Sequence, residues 1–154
     1  MKSVLLVIDI QDKTTSLLFG KKDFLDRVNS IIDYFKNKKL PIIYVKQSGA
    51  GNLSNKLHYD LSDCIVTKEK PSSFSSKEFS DELQTLKVNK IVVTGLMSNA
   101  CIQATCKSAL NKKFEVTLIE DGHDSIIKPF RNLYNKKLKK SGVNIVMTQD
   151  FLNR

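Results

Sequence analysis

Lys90-Ile91-Val92-Val93-Thr94-Gly95-Leu96-Met97-Ser98-Asn99-Ala100-Cys101 is the stretch whose reading decides the fold of this chain. The apolar, β-branched run up to Thr94 reads as a buried strand, and Gly95 marks a tight turn. Beyond it Ile102, Thr105, Cys106, Ala109 and Leu110 recur at helical spacing, so a helix starts near Cys101. Strand, glycine turn and helix start together place one thiol where unpaired backbone N–H groups and the helix dipole favour a thiolate. Such a cysteine is a candidate nucleophile with oxyanion donors beside it. The alternative from this segment alone is a small cysteine that suits close strand–helix packing.

Outward from that stretch, strand and helix patterns alternate. Val4–Ile8, Ile42–Val45, Cys64–Thr67, Lys90–Thr94, Phe114–Ile119 and Val143–Met147 read as strands. Between them, Phe24, Val28, Ile31, Ile32 and Phe35 form a helical stripe. Lys77–Leu86 reads as a short helix with Ser75 or Ser76 as its N-cap. Ile126–Lys140 reads as a further helix with Pro129 in its first turn. Six nearly continuous apolar strands joined by helical crossovers predict an α/β three-layer sandwich, its mostly parallel sheet covered by helices on both faces. The 154 residues are expected to form one domain, 1–154, large enough to bury a core.

Composition narrows the function classes. The chain is 41% hydrophobic and 27% charged, ordinary for a globular domain. No leader pattern precedes the first strand and no apolar run approaches membrane-spanning length, so a cytoplasmic location is expected, without a membrane partner. Three cysteines without framework spacing fit a reducing compartment. The net charge of +9 invites a nucleic-acid reading, but Lys36, Lys38, Lys39, Lys112, Lys113, Lys136, Lys137, Lys139 and Lys140 cluster where helices end, and the dipole accounts for them. With no Trp and no basic-aromatic motif, no nucleic-acid partner is expected. Gly49-Ala50-Gly51 follows a strand without opening a helix and is no dinucleotide fingerprint. Cys64 and Cys106 read as core residues.

Open parallel sheets bind ligands beyond the carboxyl ends of their strands. Three reactive side chains fall there: Asp9 after Val7-Ile8, Lys68 after Ile65-Val66-Thr67, and Cys101 after the fourth strand. A thiol flanked by an ammonium that lowers its pKa and a carboxylate that moves its proton is coherent chemistry. Singly, each has a duller reading: Asp9 as a turn cap, Lys68 as a solvated strand end.

These residues also carry a resemblance. Val7-Ile8-Asp9-Ile10-Gln11, Lys68-Glu69-Lys70-Pro71-Ser72-Ser73-Phe74, Val93 to Cys101 and Glu120-Asp121 resemble, in order, segments of the isochorismatase-like cysteine hydrolases. The resemblance implies a six-stranded Rossmann-like sheet of order 3-2-1-4-5-6 and a catalytic triad of Asp9, Lys68 and Cys101, with Lys68 rather than Lys70 holding the spacing to Phe74. It also implies a non-proline cis peptide at Leu96–Met97, an oxyanion hole from the backbone N–H groups of Met97 and Cys101, and Gln11, Phe74 and Leu96 against substrate. The implied reaction is cofactor-free cleavage of a small carboxamide through a thioester. The implied partners are a small-molecule substrate and further copies of the chain, a homo-oligomer. Vinyl-ether hydrolysis of the isochorismate type and a redox-sensing protein that keeps the fold are the alternatives.

Some members hold a metal through an Asp-x-His pair and a further His after the second strand. Here that region reads Tyr44-Val45-Lys46-Gln47-Ser48, and His58 and His123 are too few and too distant for a ligand set, so no metal is expected. His58 falls in a loop and reads as solvated. His123 follows the fifth strand and is a candidate for the pocket mouth, a turn role for Asp121-Gly122-His123-Asp124 being the alternative. Leu17, Leu18, Phe19 and Phe74 are candidates for pocket, interface or core.

Overall fold

The computed structural model describes residues 2–154. Strands β1 (Ser3–Ile8), β2 (Ile42–Gln47), β3 (Cys64–Lys68), β4 (Lys90–Leu96), β5 (Glu115–Asp124) and β6 (Asn144–Val146) form one sheet. Their order is β3-β2-β1-β4-β5-β6, and every neighbouring pair is parallel. The helices are α1 (Asp12–Thr15), α2 (Lys21–Asn37), α3 (Lys77–Leu86), α4 (Gln103–Asn111), α5 (Pro129–Ser141) and α6 (Thr148–Leu152).

The sheet is central because its strands are apolar on both sides. Val4 to Ile8 are fully buried, and alternate residues serve opposite cores. Val4, Leu6 and Ile8 pack with Phe79, Leu83, Ile102, Cys106 and Leu138 of α3, the turn before α4, α4 and α5. Leu5 and Val7 pack with Phe24, Val28, Ile31, Phe35 and Phe151 of α2 and α6. Each such side chain contributes about 1.5–3 kcal/mol by leaving water, which is why a charge is tolerated only where β1 ends.

Local signals set most boundaries. Ser76 caps α3 by accepting from the Phe79 N–H, and Pro129 is the first residue of α5. Several elements differ from the sequence reading. β4 does not stop at Thr94 but runs through Gly95 to Leu96. Gly95 is obligatory there: at φ +126° a Cβ would stand 2.1 Å from the Ile8 carbonyl oxygen of the paired strand. β5 runs on to Asp124, because its pairing with β4 skips from Val93–Leu118 to Gly95–His123. That bulge returns His123 to the sheet beside the turn. β6 is shorter than Val143–Met147, and the two small helices α1 and α6 carry too few residues for a readable period.

Candidate active site

Parallel order brings the ends of β1, β3 and β4 to one edge. At that edge Asp9 follows β1, Lys68 is the last residue of β3, and Cys101 stands in a π-helical turn, Ser98–Ile102, between β4 and α4. Asp9 sits at φ +56°, a left-handed conformation that Asp tolerates better than bulkier residues. Its backbone is held at both ends: its N–H donates to Val45 O at 2.8 Å, and the Thr14 hydroxyl donates to its carbonyl. The peptide bond between Leu96 and Met97 is cis.

Lys68 gathers the cluster. Its ammonium is fully buried and donates to Asp9 Oδ2 at 3.0 Å, to Gln47 Oε1 at 2.6 Å and to Cys101 Sγ at 3.3 Å. An ammonium has three donors, and all three are used, so Lys68 is a fixed charge with nothing left for a ligand. Gln47, adjacent to Lys68 in the β2–β3 register, was not among the expected site residues. Gln47 lies beyond the apolar run Ile42–Val45 and is the last residue of β2, and nothing in that run signals that it completes the ammonium's shell.

Asp9 Oδ1 is, among the described residues, the one buried side-chain polar atom without a hydrogen-bond partner. Burial raises the Asp9 pKa, and the neighbouring Lys68 only partly offsets it. The Cys101 thiol is pushed up to about 11, first by burial and then by the Asp9 charge, which together outweigh Lys68. This corrects the expectation of a thiolate at rest: the turn is π-helical, the thiol partly buried, and the nearest carboxylate opposes ionisation. Cys101 is thus a thiol beside a carboxyl group that has one oxygen without a partner.

Of the residues expected to touch substrate, Gln11, Leu96 and His123 are wholly buried and Phe74 is partly so. Gln11 is fully buried, and its amide pins the loop after β2: Nε2 donates to Gln47 O and Gly51 O, and Oε1 accepts from Gln47 N. Leu96 is fully buried in the core on the α2 side. His123 is fully buried with both ring nitrogens hydrogen-bonded, so it does not reach a pocket mouth. Phe74 keeps some exposure, edge-on to Phe79 with ring centroids 5.0 Å apart. Leu18 is core, while Leu17 and Phe19 are exposed, and His58 is exposed beside Asp33 at 2.9 Å. Asp121 is a staple away from the site: its Oδ1 accepts from the Thr148 N–H and hydroxyl at the start of α6, and its carbonyl accepts from Arg27.

Comparison with known proteins places this geometry. The Isochorismatase domain model matches residues 3–150. The chain belongs to the isochorismatase family. A relative, the isochorismatase family protein YddQ of Bacillus subtilis, is 26% identical over 138 residues, covering 79% of this chain and 77% of YddQ. Among solved structures, the pyrazinamidase of Pyrococcus horikoshii in complex with zinc is 20% identical with a TM-score of 0.85, covering 96% of this chain and 99% of that one. The octameric YcaC hydrolase of Escherichia coli is 16% identical with a TM-score of 0.90, covering 98% and 78%. The fold is therefore that of isochorismatase-family hydrolases.

A zinc ion does not suit the residues of this member. Zinc takes imidazole, thiolate or carboxylate ligands. Here Lys46, Gln47 and Ser48 end β2 and follow it, the Gln47 carboxamide oxygen is bound to Lys68, and a buried ammonium occupies the neighbourhood. No three His, Cys, Asp or Glu side chains gather as ligands among the described residues.

Proposed function

We propose that this member is a cofactor-free cysteine hydrolase that cleaves the C–N bond of a small carboxamide, with Cys101, Asp9 and Lys68 as its catalytic triad. The observation that carries the reading is one saturated, buried ammonium between a thiol and a carboxylate whose other oxygen is free. Asp9 Oδ1 takes the Cys101 proton as sulfur attacks the carbonyl carbon. The backbone N–H groups of Met97 and Cys101 receive the developing oxyanion. Protonated Asp9 then gives its proton to the departing amine, the C–N bond breaks and a thioester remains. Water attacks the thioester with Asp9 again accepting a proton, and the carboxylic acid leaves with the thiol restored.

Lys68 holds the thiolate through each step without exchanging its own protons. A redox sensor needs a thiolate at rest. A thiol pushed up to about 11 instead suits an enzyme that ionises its nucleophile only as the proton moves to Asp9. The amidase reading draws further support from the pyrazinamidase among the structural neighbours. Exposed Leu17, Phe19, Ile126 and Ile127, on the loops after β1 and β5, support a homo-oligomer, as does the octameric neighbour. Three free cysteines and no helix long and apolar enough to cross a membrane among the described residues support the cytoplasm as its location.

The test is ammonia release from a panel of small carboxamides, nicotinamide and pyrazinamide included, by the natural chain and by Cys101→Ala. Release that disappears with the thiol is expected. Release that survives Cys101→Ala refutes the covalent route, and turnover of vinyl ethers alone moves the reaction to the isochorismate type.

A further inference from the structure

Behind the nucleophile turn lies a chain of hydrogen bonds that the reaction above does not use. Ser98, the first residue of the π-helical turn, is fully buried, and its Oγ lies 2.7 Å from His123 Nδ1. His123 Nε2 lies 2.7 Å from Asn135 Oδ1 on α5. Asn135 Nδ2 donates to the Glu120 carbonyl at 3.0 Å.

The direction of every bond follows from its end. A backbone carbonyl only accepts, so the Asn135 group facing Glu120 is the NH2 and the group facing His123 is the oxygen. That oxygen also only accepts, so Nε2 carries the imidazole proton. Nδ1 is then the acceptor, and the Ser98 hydroxyl donates to it. The Ser98 rotamer, and with it the first residue of the turn, is fixed by β5 and, through Asn135, by α5.

We propose that Ser98 and His123 form a positioning pair that holds the π-helical turn so that the Cys101 sulfur stays in reach of Lys68, with His123 acting as a neutral Nε2–H acceptor rather than as an acid, base or substrate contact. The bulge in β5 puts His123 opposite Gly95, directly beside the turn it holds. Asn99 receives a second tie, from the Ser125 hydroxyl at 3.2 Å, but the Ser98 bond is shorter and wholly buried. Burial and the nearby Arg131 keep the ring neutral, pushing its pKa down to about 4, against the upward pull of Asn135, Asp124 and Asp121. The inference rests on Cys101 as the nucleophile, not on any substrate.

Two measurements test it without a substrate. The first is the rate at which iodoacetamide alkylates Cys101, read on its own peptide at pH 8. Because the seat holds the thiol up at about 11, Ser98→Ala and His123→Leu, which loosen it, are each expected to speed alkylation about tenfold, with the double variant no faster than either. His123→Asn, which keeps an acceptor near Nδ1, is expected to return alkylation most of the way to the slow natural rate. The second is 15N NMR of the natural chain, in which His123 is expected to show the Nε2–H tautomer unchanged from pH 8 to pH 5.

A folded Ser98→Ala protein that alkylates at the natural rate overturns the proposal, as do additive single effects or an Nδ1–H imidazole. Should His123→Leu fail to fold, Ser98→Ala and the NMR spectrum still decide. Absence of amide turnover alongside coupled alkylation would refute the amidase and leave the positioning pair standing.

Discussion

At the scale of single residues the site depends on one buried ion pair. Lys68 and Asp9 are both almost wholly out of water, so neither tolerates loss of the other. Asp9→Asn leaves an uncompensated buried ammonium and is expected to cost about 3–5 kcal/mol in urea unfolding, whereas Asp9→Asn with Lys68→Met recovers much of that loss. Proton linkage gives a second prediction. The folded Asp9 and Cys101 pKa values are both raised, so the native state binds these protons more tightly than the unfolded chain. For the thiol, the resulting stability is present below its ordinary value of 9 and is lost as pH rises to about 11, so urea midpoints are expected to fall across that window less steeply in Cys101→Ala. For Asp9 the same sign places the acid limb of any turnover above the ordinary carboxylate pKa of 3.8, because catalysis needs its ionised form.

At the scale of elements, the passage from β4 through the turn to α4 is the most tightly determined part of the chain. Gly95→Ala would drive a methyl group into the Ile8 backbone at a positive φ, and no folded protein is expected by circular dichroism. Lys87, which ends α3 in the left-handed region at φ +54°, makes the opposite case. Lys87→Gly removes that penalty and is expected to raise stability by about 0.5–1 kcal/mol in thermal unfolding. What the sequence reveals of the elements follows the same physics. A parallel strand buried on both faces is an apolar run, so all six strands are visible, and α3 is visible to the residue because Ser76 caps it locally. The β5 bulge is not visible, because skipping Ile119 to Gly122 breaks the pattern that would report it. For the same reason His123 reads as facing a pocket when it faces the core. Asp9, Lys68 and Cys101 are legible because a strand-end position is a local property. Gln47 is not, since its part is decided by the third donor of an ammonium from another strand.

At the scale of the whole molecule, charge and apolar exposure pull against each other. A net charge of +9 repels a second copy, while Phe19 at 82% and Leu17 at 76% exposure, with Ile126 and Ile127 half exposed, leave apolar surface in water. The two loops that carry them run side by side, since Lys128 donates to the Phe19 carbonyl and so joins the segment after β5 to the segment after β1. Lys21 and Lys22 stand just beyond Gly20 after Phe19 and are exposed, so copies meeting through this surface bring like charges together. Screening shortens the reach of that repulsion to about 3 Å at molar salt, against roughly 30 Å at 0.01 M, and strengthens the apolar contribution rather than weakening it. Self-association is therefore expected to tighten with salt, opposite to the behaviour of an assembly held by ion pairs. Sedimentation velocity in 20 mM and in 500 mM sodium chloride should show the larger species favoured at high salt, and Phe19→Ser with Ile127→Ser should return the chain to a monomer in both. A monomer at every salt concentration, or an assembly that dissolves as salt rises, would mean that these loops do not join copies of the chain.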